Sequence, residues 1–585
     1  MVRWVLIVGI VFFPGIIVAQ LDDLIDGPWV APALDVLERR REEPLCLACC
    51  NAYDLTEIPG ISQRTARAIV RLVDAGGITS ISALCDTLCL PPDQFILLTS
   101  CTTLQCSCGG LIRSASARIR MPTAATGMGL IRMDIDHAVG RAGVLFAQPL
   151  DAAPSITGAW ATAVIGNVHM AIGDVALRMA TGLIMGTSSG LTRSPAEILR
   201  STDGTFSMRP WTSTSQEGSL RGLALHTLIP SLRTEFTGLI GRSVHDDVIT
   251  TTYACSFSHV LPTGNVSLSA VSTLHASYAS LSAAQTIGNT TIRGELAFDD
   301  NLRWSGHLHG EYNTSPAIVG FSLWRYSPDI KPPFGTSSGT SSAPYNHAGM
   351  LIYVRASPWR TSTFLGSISY GGRLSRSYLN PLPTSSLDIT TDLLTRPWRG
   401  VSISARLRYE RSADAISIEN VRRMDVSSFV MGRIDVDVPL ARAVQGRIRC
   451  DLRNVSWRSR PVADHGTLLF LDVRWHPQPD ITLRGRWTQF SSTSGTIAPR
   501  MLDATVVGAL QTVVANGKGA RWTIAVRWQI APWIAVSGAY HDDRRVVDGA
   551  VRADRSALFQ IDLRLRAVGR REFIAIDDES STRLE

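Results

Sequence analysis

Lysine is almost absent from this 585-residue chain, in which Lys331 and Lys518 are the only two. The positive charge therefore comes from arginine, whose planar guanidinium binds phosphate and carboxylate groups through paired hydrogen bonds. Charged residues make up 18% of the chain and the net charge is +7, whereas a typical soluble domain has roughly 25% charged residues. So small a positive surplus is only a weak indication of an anionic partner.

Long apolar runs are also missing. After residue 20 no stretch reaches the roughly 18 apolar residues that a membrane-spanning helix needs, which excludes a multi-span helical membrane protein. A disordered chain is excluded as well, because 45% of the residues are hydrophobic. The sequence contains no HExxH or GxxxxGK[ST] motif. We therefore expect no enzymatic activity, no cofactor and no metal site.

The first 19 residues have the layout of a secretory signal peptide. Arg3 supplies the positive start, residues 4–18 form the apolar stretch, and Ala19 is a small residue at a plausible cleavage point. The alternative is a single membrane anchor, which the Pro14-Gly15 pair disfavours. We expect an exported protein.

Residues 20–108 have helical periodicity. Apolar residues recur at helical spacing on both sides of a Pro59-Gly60 break, which predicts two short helices and a turn. A second, similar unit runs from residue 78 to residue 98. The apolar positions of the first unit are Leu55, Ile58, Ile61, Ala66, Ile69 and Val70.

From about residue 109 to residue 570, helical spacing gives way to alternation of apolar and polar residues. Residues 401–409, 447–453 and 557–566 each place apolar residues on one face and Arg, Ser or Asp on the other. This pattern is typical of a strand that is half buried. We expect the last residues, 571–585, to form a polar tail.

Proline turns recur at intervals of about 40 residues, and three of them carry an adjacent tryptophan. Short turns beside Trp, alternating with longer polar loops, are typical of an outer-membrane β-barrel. We expect loops at 411–422 and 491–499, and a mainly β fold with an antiparallel transmembrane barrel of roughly 18–22 strands. A soluble β-sandwich or propeller is the alternative. The turn prolines are Pro358, Pro397, Pro439, Pro477 and Pro532.

In this barrel the arginine rows at 402–408, 447–453, 484–486 and 564–566 would face the lumen. They could guide an anionic polymer, but pairing with Asp and Glu across the lumen is the favoured interpretation. We expect four histidines in predicted strands to be lumen or girdle residues rather than metal ligands. We also expect two pairs of adjacent aspartates to be exposed to solvent. These are His169, His307, His309 and His541, and Asp542-Asp543 and Asp577-Asp578.

Eight of the ten cysteines lie before residue 109, an even number in an exported segment, which favours disulfides. The pairing cannot be deduced from their spacing. A metal or iron–sulfur site is the alternative, although the spacings match no established pattern. The candidates are Cys46, Cys49, Cys50, Cys85, Cys89, Cys101, Cys106 and Cys108, whereas Cys255 and Cys450 are expected to stay unpaired.

The Pro-Gly turn before the helix at residues 63–72 has a chemical implication. Backbone N–H groups at the start of a helix lack partners and lie at its positive end, so they can donate hydrogen bonds to a phosphate oxygen. Nearby arginines add positive charge. The candidate phosphate-binding residues are Pro59, Gly60, Ile61, Ser62, Arg64 and Arg67.

Residues 51–84 resemble the tandem helix-hairpin-helix module of competence DNA-receptor proteins. The resemblance rests on Asn51, residues 58–61, Gly77 and Leu84. It implies sequence-independent binding of the DNA backbone through the amides of the hairpin. The second hairpin departs from the pattern, since Cys89-Leu90-Pro91 stands where a glycine-containing turn belongs.

The later chain is similar to uncharacterised Bacteroidetes-type outer-membrane proteins that carry such a domain before a barrel. The resemblance rests on residues 165–173, 180–186 and 209–222. We thus expect a barrel in outer-membrane lipid with a periplasmic helical domain that binds DNA for capture or uptake. The alternative is an envelope protein whose helical domain docks a periplasmic partner or plugs the barrel.

Overall fold

The computed structural model describes much of the chain, and every structural statement below concerns that part. The expected signal peptide, residues 571–585 and Asp577-Asp578 lie outside it. The described residues are 40, 44–48, 50, 52–56, 58, 61, 63–76, 80–88, 98–99, 101–104, 112–122, 128–137, 139–149, 155–186, 207–211, 219–245, 248–314, 316–336, 345–359, 361–376, 382–398, 400–418, 421–503, 506, 512–547 and 550–566.

The N-terminal part contains three described helices, α1 (Ala52–Thr56), α2 (Gln63–Asp74) and α3 (Ile81–Thr87). Two short strands, β1 (Leu45–Cys46) and β2 (Thr102–Thr103), pair in parallel. Helix α3 is capped at its start, because the Ser80 hydroxyl accepts a hydrogen bond from the Ala83 amide at 3.1 Å. We call residues 44–104 the helical segment. Its apolar core includes Leu55, Ile58, Ile61, Ala66, Ile69 and Leu84. No helix in the described residues combines the length and the apolar content that a bilayer crossing requires.

A single antiparallel sheet holds most of the remaining described chain. Each strand follows the alternation that the sequence indicated. The strands are β3 (Ile112–Pro122), β4 (Met128–His137), β5 (Gly140–Pro149), β6 (Ser155–Ile165), β7 (Val168–Arg178), β8 (Ser207–Pro210), β9 (Leu220–Ile229), β10 (Thr234–His245), β11 (Val248–Leu261), β12 (Gly264–Thr273), β13 (Ser277–Ile287), β14 (Thr290–Asp299), β15 (Trp304–Thr314), β16 (Ala317–Tyr326), β17 (His347–Trp359), β18 (Ser362–Gly372), β19 (Ser385–Thr395), β20 (Ser402–Ile418), β21 (Val421–Ala441), β22 (Val444–Trp457), β23 (Asp464–Gln478), β24 (Ile481–Ser492), β27 (Lys518–Ala531), β28 (Ile534–Val547) and β29 (Ala550–Arg566). Two further strands, β25 (Arg500–Leu502) and β26 (Thr512–Val514), pair with each other outside this sheet.

The sheet closes on itself because the last strand, β29, pairs with the first barrel strand, β3. The closed ring contains 24 strands in the described chain, and the short β8 lies beside the end of β7 where β9 leaves it. The expected mainly β barrel is confirmed, but the expected count of 18–22 strands is too low. A helix-hairpin-helix domain is not established by this architecture.

The two rims of the barrel differ. At one rim, the turn end, neighbouring strands are joined by short connections such as 166–167, 288–289 and 442–443. Gly166 and Gly288 open two of these turns with positive φ, as tight hairpins require. At the opposite rim, the loop end, long connections span 179–219, 327–346, 373–384 and 493–517.

The turn prolines all lie at the turn end. Three of them interrupt the strand pairing, because register shifts occur at 356–359, 439–441 and 475–478, around Pro358, Pro439 and Pro477. Proline has no N–H for the ladder, which explains the shifts. The expected loop at 411–422 is wrong, since strands β20 and β21 extend through 418 and from 421. The loop that begins near residue 493 is present.

The outer surface of the ring is apolar. On β22, Ile448 and Leu452 are exposed, whereas Arg449 and Asp451 between them are buried on the lumen side. Five exposed tryptophans of the described chain lie near the turn end, and membrane barrels carry such aromatic girdles at their membrane interfaces. They are Trp359, Trp398, Trp475, Trp528 and Trp533.

Candidate functional site

The lumen wall carries a ladder of ion pairs on strands β21–β24. Three aspartates there each bind two guanidinium groups. Each group of two arginines and one aspartate therefore has a net charge of +1. All bonds fall between 2.7 and 3.3 Å. The groups are Asp435 with Arg447 and Arg449, Asp451 with Arg433 and Arg453, and Asp472 with Arg484 and Arg486.

The arginine ladder also stacks on one ring. Three of its guanidinium groups lie 4.4–5.6 Å from the centre of the Phe470 ring. Arg406 forms an ion pair with Asp392, and Arg408 forms one with Asp388. The predicted pairing of the arginine rows is confirmed at these positions, although it runs along the wall between strands rather than across the lumen.

The long connection 493–517 folds into the lumen instead of projecting outward. Its strands β25 and β26 bring Met501 and Val513 onto Leu468, Phe470 and Phe490, which line the inner face of β23 and β24. Above them, the carbonyl of Ala498 accepts a hydrogen bond from Arg453 at 3.4 Å. We call the described residues of 493–517 the β24–β27 loop. This loop covers the arginine ladder.

Asp503 fixes the β24–β27 loop to the neighbouring strands β27 and β28. Its carboxylate is fully buried and pairs with Arg521, while Thr523 donates to it at 3.1 Å and His541 lies 3.1 Å away. Burial alone would oppose ionisation, but the charges of Arg521, His541 and Arg486 outweigh it and hold the pKa of Asp503 below its usual value. The carboxylate therefore acts as an ionised anchor.

A second loop-end connection also turns inward, at residues 179–186. Leu183, Ile184 and Met185 join the large apolar cluster of the lumen, together with Phe334 from the connection after β16. The two connections are joined, because the Gly186 amide donates to the Phe334 carbonyl at 2.7 Å and the Thr336 amide donates to the Gly182 carbonyl at 2.8 Å.

Glu295 on β14 holds segment 179–186 from the wall. Its buried carboxylate accepts hydrogen bonds from the backbone amides of Thr181 at 3.0 Å and Leu183 at 3.3 Å, and from the Thr181 hydroxyl. Three hydrogen bonds to one buried carboxyl group fix the position of this segment against the wall. Glu295 is therefore the anchor of this segment.

The helical segment is tied to the lumen wall near the turn end. Arg67 of α2 forms an ion pair at 2.5 Å with Glu235, the second residue of β10, directly after the turn at 230–233. Glu235 has the same orientation as Thr237 and Leu239, which are buried on the lumen side. A cation of the helical segment thus reaches the inner wall of the barrel.

This contact bears on the residues predicted to bind DNA phosphate. Arg67 is engaged by a carboxylate, and the Ile61 amide, expected to be unpaired, donates to the Ile58 carbonyl at 3.1 Å because the turn before α2 closes on itself. The expectation of a free Ile61 amide is therefore wrong. Phosphate binding itself stays a prediction, because the remaining candidates lie outside the described residues or have undescribed side chains. These are Pro59, Gly60, Ser62 and Arg64.

Cys46 is disulfide-bonded, as expected, whereas Cys50 and Cys101 carry reduced thiols, so the expectation is wrong at those two positions. Disulfides stay a prediction for the candidates whose sulfur atoms lie outside the described part of the chain. Those with undescribed side chains are Cys49, Cys85, Cys89, Cys106 and Cys108, while Cys46, Cys50 and Cys101 lie within the helical segment. Cys255 on β11 and Cys450 on β22 are free thiols, as expected.

Other polar residues turn out to be buried in the wall. His169, His307, His309 and His541 are buried in strands, and in the described chain no group of three metal-ligating side chains comes together. Asp542-Asp543 is not a solvated pair. Both residues lie on β28, nearly buried, and bind Arg544 and Arg545.

Sequence reasoning missed all three anchors. Glu235, Glu295 and Asp503 are single carboxylates in segments without a motif, and their partners lie 168, 114 and 18 residues away along the chain. For Glu235 and Glu295 the available signal was an acidic residue on the lumen face of a strand, which needs a partner.

No protein-family model and no curated protein matches the sequence. Several solved structures have a weak overall similarity to this chain. The copper transporter OprC matches with a TM-score of 0.43 and 7% identity, covering 78% of this chain and 81% of that one. The FrpB iron transporter from Neisseria meningitidis has a TM-score of 0.43 and 8% identity over 78% and 81% of the two chains. The siderophore receptor PirA from Pseudomonas aeruginosa has a TM-score of 0.40 and 10% identity over 78% and 80%.

With TM-scores below 0.5, these similarities support no conclusion about this chain. The ring itself indicates the class of barrel. It is closed, has a charged interior and presents an apolar outer face with a tryptophan girdle, as outer-membrane barrels do. The chain is a large β-barrel of the outer-membrane type.

Proposed function

We propose that this protein is a non-enzymatic passage through the outer membrane that its own chain keeps closed. The helical segment closes the turn end, and the two infolded connections narrow the loop end. The observation that carries the proposal is the ion pair between Arg67 of α2 and Glu235 of the lumen wall. It supports the plug alternative over a helical domain that hangs free in the periplasm.

The size of the ring supports the same proposal. Barrels of 16–18 strands leave an aqueous channel, and wider ones hold a plug in the lumen. A ring of 24 strands is wider still. Without an internal segment, such a lumen would conduct ions and small solutes freely.

Single-channel conductance in planar lipid bilayers tests the proposal. Wild-type protein should be mostly closed, whereas Arg67→Glu and Glu235→Arg should each open the channel by placing like charges together. The double variant with both exchanges should restore closure, because the ion pair is re-formed in reverse. Asp74→Asn, at an exposed position two turns further along α2, is the matched control and should behave as wild type. Equal conductance of all five proteins would refute closure by this pair.

Two finer functions rest on the sequence alone. DNA capture follows from the resemblance at residues 51–84, and docking of a periplasmic partner is its alternative. In this proposal DNA competes with closure, since Arg67 cannot bind a phosphate while it pairs with Glu235. Full-length wild-type protein should shift a DNA fragment at low salt and lose it steeply as salt rises. Gly60→Asp should abolish the shift, and equal binding by that variant would show that the hairpin does not bind phosphate.

A further inference from the structure

The outer face of the barrel contains an apolar groove on strands β13–β18. Its volume is about 990 Å³. The groove faces the membrane rather than the lumen, because the large apolar residues around it are exposed on the outer surface. They are Leu281, Leu296, Leu308, Leu323, Met350 and Tyr370.

Small residues form the floor of this groove. Along one row of the sheet, Gly306 pairs with Leu296 on one side and with Arg325 on the other, and Arg325 pairs in turn with Ala348. A Cβ atom at Gly306 would lie 2.6 Å from a methyl carbon of Leu296, so a larger residue there would displace the wall of the groove. The row of small residues leaves room beside Arg325 that an acyl chain can fill.

Arg325 is a cation on an otherwise apolar surface. It is the penultimate residue of β16, so it lies near the loop end, and its guanidinium is 4.7 Å from the centre of the Trp304 ring. In the described chain no carboxylate forms an ion pair with it. An arginine on the lipid face is costly at the bilayer centre and tolerated near the interface, where an anionic headgroup can neutralise it.

We propose that this groove binds a phosphorylated glycolipid of the outer leaflet. Its acyl chains lie along Leu296, Leu308 and Leu323, and its phosphate binds the guanidinium of Arg325 beside the Trp304 ring. Charge complementarity and position select this occupant. Arg325 is the only charged residue of the groove that faces outward, since the other charged lining residues face the lumen, and its positive charge fits an anionic headgroup. Long loops mark the extracellular rim of a membrane barrel, so the position of Arg325 near the loop end fits the outer leaflet.

Native mass spectrometry of the full-length protein in detergent, titrated with diphosphoryl lipid A, tests the proposal. Arg325→Ala should weaken lipid A binding at least tenfold. Gly306→Leu, which fills the groove and leaves the charge in place, should weaken it as well. Arg411→Ala is the matched control, because Arg411 is an exposed arginine on the outer face of β20 outside the groove, and it should retain wild-type affinity.

Several outcomes would overturn the proposal. One is unchanged binding by Arg325→Ala, provided that its heat-modifiable migration on gels shows a folded barrel. A second is an equal loss with Arg411→Ala, which would indicate diffuse charge attraction. A third is equal affinity for phosphatidylglycerol, which would indicate a phospholipid as the occupant. Preference for lipid A that depends on both Arg325 and the space at Gly306 would support it.

Discussion

Removal of the Asp503 carboxylate should release the β24–β27 loop from the lumen wall. In the native structure the fully buried carboxylate binds Arg521, Thr523 and His541. Breaking a buried ion pair costs about 3–5 kcal/mol when the remaining charge stays buried. Here Arg521 keeps a second carboxylate, Asp543, at 3.2 Å, and a detached loop admits water. We therefore expect about 2–3 kcal/mol for Asp503→Ala, which raises the detached population about 30- to 140-fold.

Amide hydrogen exchange measures this population directly. In the variant, peptides covering 500–515 should lose protection by that factor, while peptides of β22 should exchange as in wild type. Asp464→Asn is a matched control at the base of the same loop. Its carboxylate accepts bonds from Thr493 and Ser494 at 3.0 Å, is partly exposed, and should change protection less than about fivefold.

Two results would refute this reasoning. If Asp503→Ala left the loop fully protected, the apolar contacts of Met501 and Val513 alone would fix it. If instead protection fell equally throughout the barrel, Asp503 would stabilise the whole fold rather than the position of one loop.

Three further outcomes are expected. The pKa of Asp503 is held below its usual value, so the stabilisation that the ionised carboxylate gives the loop is complete above about pH 4 and is lost as pH falls through the folded-state pKa. Amide protection at 500–515, corrected for intrinsic exchange rates, should therefore be constant from about pH 7 to 5 and should fall below about pH 4. Glu295→Ala should loosen segment 179–186 at least about tenfold in the same exchange experiment and leave 500–515 unchanged, because it removes the buried acceptor of two backbone amides. Leu452→Arg on the lipid face should lower the free energy of unfolding in vesicles by about 2–4 kcal/mol, whereas Val462→Arg in an exposed connection should have little effect.

The orientation of the strands could be predicted from the sequence, because alternation has only two phases. Apolar Ile448 and Leu452 face lipid, and Arg449 faces the lumen, as the pattern indicated. The strand number could not be predicted, because strand length varies. Strands β20 and β21 continue through residues rich in Arg, Asp and Ser that read as a loop.

The infolded connections were beyond sequence reasoning for a different reason. Met501 and Val513 lie in sequence segments that resemble short strands. The local sequence does not distinguish a strand of the barrel wall from a strand inside the lumen. The pairing of Arg67 with Glu235 joins residues 168 apart, and only the closed ring brings them together. The spacing of apolar residues therefore predicts the strands of the barrel wall, whereas the segments that fill the lumen could be identified only from the structure.

The three anchors differ in exposure, which predicts the order in which the lumen opens. Arg67 and Glu235 are 28% and 11% exposed, against 9% and 0% for Arg521 and Asp503, and Glu295 is 1% exposed. Exposed ion pairs are weak and screened by salt, whereas buried ones are screened much less. The helical segment should therefore release first, with the loops still in place. Raising NaCl from 0.1 to 1 M should increase the fraction of time that the wild-type channel is open, without loss of protection at 500–515. If salt instead loosened the β24–β27 loop while the channel stayed closed, the closure would lie at the loop end, and Arg67 would have no part in it.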